Sequence, residues 1–124
     1  MTKDETSTPD AGPQFTFGAR GPLPEWGVPD AVNSAVIEFL GGLWRRDTLS
    51  VRDRQLVTIA VNVALGVNEA LPIHVHNALK GGLTEEEVYE LILHVGAYAG
   101  FARATDAFKI TKDVLAAGRA GTGS

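Results

Sequence analysis

The sequence contains no cysteine. For this chain, that absence excludes disulfides, thiolate metal ligands, a thiol nucleophile and a dithiol redox couple. Proline is nearly confined to one end: of the six, only Pro72 lies beyond residue 29. Long apolar runs are missing as well. The longest stretch, residues 57–65, is broken by Asn62 and stops at Gly66, far short of the ~20 apolar residues of a membrane span. Positive charge is also scarce, with 11 Lys and Arg against 15 Asp and Glu and a formal net charge of −4. A mildly acidic surface suits neither non-specific nucleic-acid binding nor anionic membranes. Residues 1–10 are polar and carry Lys3, Asp4, Glu5 and Asp10, without the apolar segment of a secretory signal. The expected compartment is therefore the cytoplasm.

What remains is a chain of 124 residues, 44% hydrophobic and 21% charged, a size that one packed core can hold without covalent staples. The clustered prolines and glycines mark residues 1–28 as an N-terminal extension, partly disordered, with Phe15, Phe17, Leu23 and Trp26 as apolar anchors. Residues 118–124, made of Gly, Ala, Thr, Ser and one Arg, read as a flexible tail. The helical domain is expected over residues 29–117.

That middle part reads as helix throughout. Val32, Val36, Phe39, Leu40 and Leu43 recur at helical spacing and predict a first helix over about residues 30–46. Ser50 and Asp53 resemble a capping box that opens a second helix, with Leu56, Ile59, Ala60 and Val63 inward and Gly66 as its stop. Asn68 is the expected cap of a third helix, which tolerates Pro72 only in its first turn and buries Leu71, Val75, Ala78 and Leu79. Thr84, followed by Glu85, Glu86 and Glu87, is the strongest start signal in the chain. It introduces a fourth helix lined by Val88, Leu91, Ile92, Val95 and Ala99. A fifth, over about residues 103–117, points Ala104, Ala107, Phe108, Thr111, Val114 and Leu115 inward. No segment alternates with period two. The fold class is all-α: a single-domain bundle of about five to six helices with short, glycine-bounded connections.

Chemistry must then rest on histidine, carboxylates, arginine and hydroxyls. His74 and His76 share the third helix but point roughly 200° apart at ~100° per residue, so one helix cannot aim both at one metal. His74 sits beside the apolar stripe. A half-buried imidazole there can exchange a proton near neutral pH and serve as a general acid or base; the plainer alternative is a histidine bonded to backbone at a helix interface. Arg52 falls near the apolar side of the second helix, one turn before Leu56. An arginine on such an edge needs a partner: Asp47 or Asp53, or the carboxylate of a ligand held bidentately. Trp44 can pack in the core or wall a pocket. His94, flanked by Glu90 and Tyr98 at one turn each way, is either a boundary residue or part of a site. Glu69 lies away from His74 on the helical wheel, and Glu85, Glu86 and Glu87 read as cap and solvated face. No histidine–carboxylate spacing supports a metal, and no glycine-rich loop supports a phosphate.

Several runs together carry a resemblance. They are Leu49-Ser50-Val51-Arg52-Asp53-Arg54-Gln55-Leu56-Val57-Thr58, then Glu69-Ala70-Leu71-Pro72-Ile73-His74-Val75-His76-Asn77, then Gly82-Leu83-Thr84-Glu85-Glu86-Glu87-Val88, and Leu93-His94-Val95-Gly96-Ala97-Tyr98-Ala99-Gly100-Phe101. With Glu38-Phe39 and Gly42-Leu43-Trp44 upstream, the sequence resembles the carboxymuconolactone decarboxylase family over residues 29–115. The same superfamily includes the alkylhydroperoxidase D branch, whose activity rests on a Cys-x-x-Cys pair followed by histidine. The histidine position matches His74, the cysteine positions fall on Val67 and Ala70, and a glutamate of that branch falls on Gln55. Without thiols, peroxidase or disulfide-reductase activity is excluded for this chain.

The resemblance implies an alkylhydroperoxidase D-like fold and cofactor-independent removal of a carboxylate from a small carboxylated lactone or related ring acid. It implies His74 as the catalytic acid/base, Arg52 as the carboxylate anchor, and Trp44, Gln55, His94 and Tyr98 lining the substrate site, with no metal and no other cofactor. It further implies a homo-oligomer, trimeric or hexameric. The decarboxylases tend to carry Arg at the position of His76 and Glu at that of Ala70, so the substrate here need not be the family's own. An isomerase, cyclase or hydrolase of a biosynthetic pathway, or a non-catalytic oligomeric binding protein, are the other uses of the same fold.

Overall fold

The break at residues 45–50, where α1 has ended and α2 has not begun, separates two compact units, Met1–Ser50 and Val51–Ser124. The computed structural model describes the backbone of residues 27–123 and the side chains of residues 27–119. The N-terminal extension expected over residues 1–28, with its anchors Phe15, Phe17, Leu23 and Trp26, lies almost wholly outside the described residues.

In the first unit the described residues form one helix, α1, Asp30–Trp44. It buries Gly41 and Trp44. Val32, Phe39 and Leu43, expected on a buried stripe, are instead exposed, Phe39 at 69%. Periodicity assigns a face to a helix but cannot say whether anything covers it.

The second unit holds four helices: α2 (Val51–Leu65), α3 (Leu71–Lys80), α4 (Glu85–Ala99) and α5 (Phe101–Gly123). No strand occurs among the described residues, and the fold is all-α as read from the sequence, consistent with an alkylhydroperoxidase D-like bundle. The core is built from the residues that recur at helical spacing. Ile59, Val63, Leu71, Val75, Val88 and Ile92 are sealed from solvent, with Ala78, Ala104 and Ala107 between them. The small alanines let α5 approach, and α4 packs most extensively against it. α2 packs against α3, α4 and α5, so residues on α2 are the ones best placed to link the other helices.

Helix ends follow local chemistry where the sequence supplies it. At α4 the Glu87 N–H donates to Thr84 Oγ1 at 3.0 Å, and the Thr84 N–H donates back to Glu87 Oε1 at 3.0 Å. This is the reciprocal capping box that Thr84 and Glu87 announce. α3 differs from expectation: its N-cap is Ala70, not Asn68, and no side chain caps it. The Asn68 N–H turns back to the Gly66 carbonyl at 2.9 Å, so residues 68–70 are used in reversing the chain. Pro72, which has no N–H to lose, sits in the first turn and sets the helix start. Gly66 permits that reversal with φ +71, and a Cβ there would collide with the Arg103 guanidinium. α5 begins two residues earlier than expected and runs on to Gly123, through the Gly118 read as the start of a tail.

Candidate functional site

Arg52 and Gln55 stand three residues apart in the first turns of α2 and share one side of it, Gln55 buried and Arg52 exposed. Arg52 lies at the edge of that side, and its Nη2 donates to Glu87 Oε2 on α4, forming an ion pair with both side chains about two-fifths exposed. The charged partner is thus Glu87, thirty-five residues away, rather than the sequence neighbours Asp47 or Asp53. Glu87 therefore holds the α4 cap and the Arg52 guanidinium together. The Thr84 N–H and then Arg52 keep its carboxyl below the usual carboxylate range.

Gln55 lies deeper, 7% exposed. Its Nε2 donates to the main-chain carbonyl of Asn77 on α3 at 3.2 Å. Its Oε1 is buried and has no hydrogen-bond partner. One turn before Asn77 on the same helix stands His74, half-buried. Burial holds the His74 imidazole below its ordinary pKa, because the imidazolium loses more hydration than the neutral ring. His76 is exposed, as the ~200° separation on the helix requires.

The structure connects Gln55 to the helix of His74, and Arg52 to the start of α4. His94 and Tyr98 are placed elsewhere on α4. Both are exposed, Tyr98 at 85%, and their rings stack with centroids 5.4 Å apart and planes 29° from parallel. Trp44, on α1, is buried. Sequence reasoning missed Asn77, a buried asparagine whose carbonyl receives Gln55, and the pairing of Glu87 with Arg52. No local spacing signals either one, since both contacts join separate helices. Among the described residues, no group of three His, Asp or Glu comes together to hold a metal ion, and no helix is long and apolar enough to cross a membrane.

The helices that carry His74, Arg52, Gln55 and Glu87 fall inside a match to the model of the carboxymuconolactone decarboxylase family over residues 30–113, more than half of the chain. The chain belongs to that family. Two characterised proteins are similar over 75 residues each. One is 4-carboxymuconolactone decarboxylase of Acinetobacter baylyi, 39% identical over 60% of this chain and 56% of its own length. The other is nitrosuccinic acid decarboxylase of Metarhizium robertsii, 28% identical over 60% of this chain and 52% of its own length. The matched part thus spans little more than half of either relative. Both relatives are named as decarboxylases, of different acids.

Proposed function

We propose that the chain is a cofactor-independent carboxy-lyase acting on a small carboxylated lactone or related ring acid, with His74 as acid/base and Arg52 as carboxylate anchor. The observation that carries the reading is the half-buried His74, its proton affinity lowered by burial, inside a stretch similar to two named decarboxylases. Loss of CO2 breaks a C–C bond and leaves its electron pair on carbon. An adjacent carbonyl or conjugated system accepts that pair, and a proton must then reach carbon. A neutral, desolvated imidazole takes up a proton when an anionic substrate draws near and offsets the cost of burial. It gives that proton to carbon and recovers another from solvent, so that carboxylate plus proton yields C–H plus CO2.

Arg52 has the donors for the second task. Its Nη2 serves Glu87, and a guanidinium carries five N–H groups, which leaves others for a substrate carboxylate. The pair is solvent-exposed, where ion pairs exchange partners at little cost. Thiol chemistry has no place in this scheme, since the chain has no cysteine. Self-association is part of the proposal: Val57, Val61 and Leu65 recur every four residues along the outer face of α2 and are 52%, 48% and 66% exposed. Light scattering on the purified chain reads the trimer or hexamer directly.

The test is CO2 release from a panel of carboxylated γ-lactones and related ring acids. The expected result is turnover of at least one panel member without added cofactor, and a kcat about 10²–10⁴-fold lower in His74→Asn. Equal rates in wild type and His74→Asn overturn the assignment of His74, and no CO2 from any acid overturns the activity.

A further inference from the structure

Gln55 is a buried polar group held by one hydrogen bond, and its place in the bundle has a further consequence. Its carboxamide fills the space that Gly81 leaves open. A Cβ on Gly81 would stand 2.7 Å from Gln55 Oε1, 2.8 Å from Nε2 and 3.1 Å from Cδ. Gly81 is the C-cap of α3, and its own N–H donates to the Asn77 carbonyl at 2.9 Å. The Asn77 carbonyl thus accepts from Gly81 and from Gln55 at once. That carbonyl lies in the last turn of α3, at the negative end of the helix dipole, and its second lone pair takes the Gln55 NH2 as a further donor. The unused Oε1 means that the amide is held by its donor alone, so a carboxylate at this position has nothing to offer the Asn77 carbonyl.

α3 has only ten residues and no side-chain cap at its start. A helix that short is marginal by itself, and its orientation depends on what grips it from outside. His74 lies three residues before Asn77, on the same face one turn away. A shift of the last turn is passed to the imidazole along the helix.

We propose that Gln55 is a positioning residue for His74: its carboxamide, seated over Gly81, clamps the last turn of α3 to α2 and thereby fixes the turn that carries the imidazole. The proposal rests on the reading of His74 as proton carrier, but the clamp itself is tested without turnover.

The experiment is nitrogen–proton NMR of the imidazole rings in the full chain at pH 7, with His74 assigned from His74→Gln and the exposed His94, on α4, as internal reference. Gln55→Met keeps the length of the side chain and removes the donor. Gly81→Ala keeps Gln55 and pushes its carboxamide off the Asn77 carbonyl; with φ −85 at Gly81, alanine is tolerated by the backbone. Thr84→Ala removes the α4 cap as a control for general destabilisation. Both Gln55→Met and Gly81→Ala are expected to shift the His74 ring signals while those of His94, on α4, stay in place. Both should also speed exchange of the residue-81 amide about tenfold relative to its intrinsic rate, the loss of one buried hydrogen bond. Thr84→Ala is expected to leave His74 where it is. Unmoved His74 signals in the two clamp variants overturn the proposal. So does an equal shift in Thr84→Ala, or loss of the helical signal in both clamp variants, since a clamp must be separable from the fold. If wild type releases no CO2 while the ring signals shift as described, the proposed activity fails and the clamp stands.

Discussion

Thr111 offers a sharp test of how the core is built. It is sealed from solvent in the middle of α5, and its Oγ1 has no hydrogen-bond partner. Leaving a buried hydroxyl unsatisfied costs about 1–3 kcal/mol. Thr111→Val replaces that hydroxyl with a methyl of nearly the same shape, keeps the β-branch, and adds apolar burial of about 0.8 kcal/mol. We expect Thr111→Val to stabilise the protein by about 1–2 kcal/mol, after allowance for imperfect packing of the new methyl. Thr111→Ser keeps the hydroxyl and loses the methyl, and should destabilise by about 1 kcal/mol. Urea unfolding followed by helical circular dichroism reads both, as a change in midpoint at unchanged slope. In a thermal scan, about 1 kcal/mol moves the midpoint by roughly 4–8 °C in a domain of 60–100 residues. The order expected is Val above Thr above Ser. A Val variant less stable than wild type refutes the reasoning, because it shows that the hydroxyl has a partner whose bond outweighs the gain from the methyl.

Three further outcomes follow from particular contacts. Thr84→Ala removes the acceptor for the Glu87 N–H and should cost about 1 kcal/mol in urea unfolding. Gly66→Ala forces a side chain into φ +71 and against Arg103, and should cost about 1–2 kcal/mol or more in the same assay. Burial lowers the folded-state pKa of His74 from 6.5, so below pH 6.5 the unfolded chain binds the extra proton more readily than the folded one. Stability is therefore expected to fall as pH drops from 6.5 through the folded-state pKa, and His74→Gln should flatten that limb; an unchanged limb in the variant refutes the burial argument.

Much of the second unit was legible because its signals are local. A capping box needs only Thr84 and Glu87, three residues apart, and both of its hydrogen bonds form. The core positions Ile59, Val63, Val75, Val88, Ile92, Ala104 and Ala107 recur at the spacing of a helix, and all are buried. The family was legible for the same reason, through short runs around Arg52, His74, Thr84 and Tyr98. Local signals misled where two of them competed. Asn68 is a good cap by type, but the chain reversal at Gly66 and the fixed φ of Pro72 moved the start of α3 to Leu71. Phe39 has the right spacing on α1 and remains exposed.

His74 shows both sides of this division. Its spacing from Leu71, Val75 and Ala78 sets it beside the buried stripe and opposite His76, and that follows from 3.6 residues per turn alone. Its burial, and hence its lowered pKa, comes from the helices packed around α3. The same holds for Arg52 and Gln55. Chain order places them on one side of α2, yet the choice of Glu87 over Asp47 or Asp53, and of the Asn77 carbonyl over water, was made by packing. Helix type, caps and faces depend on interactions within about four residues, which a sequence displays directly. Partners, burial and proton affinity depend on groups 22 and 35 residues away, and these meet only once the helices have packed.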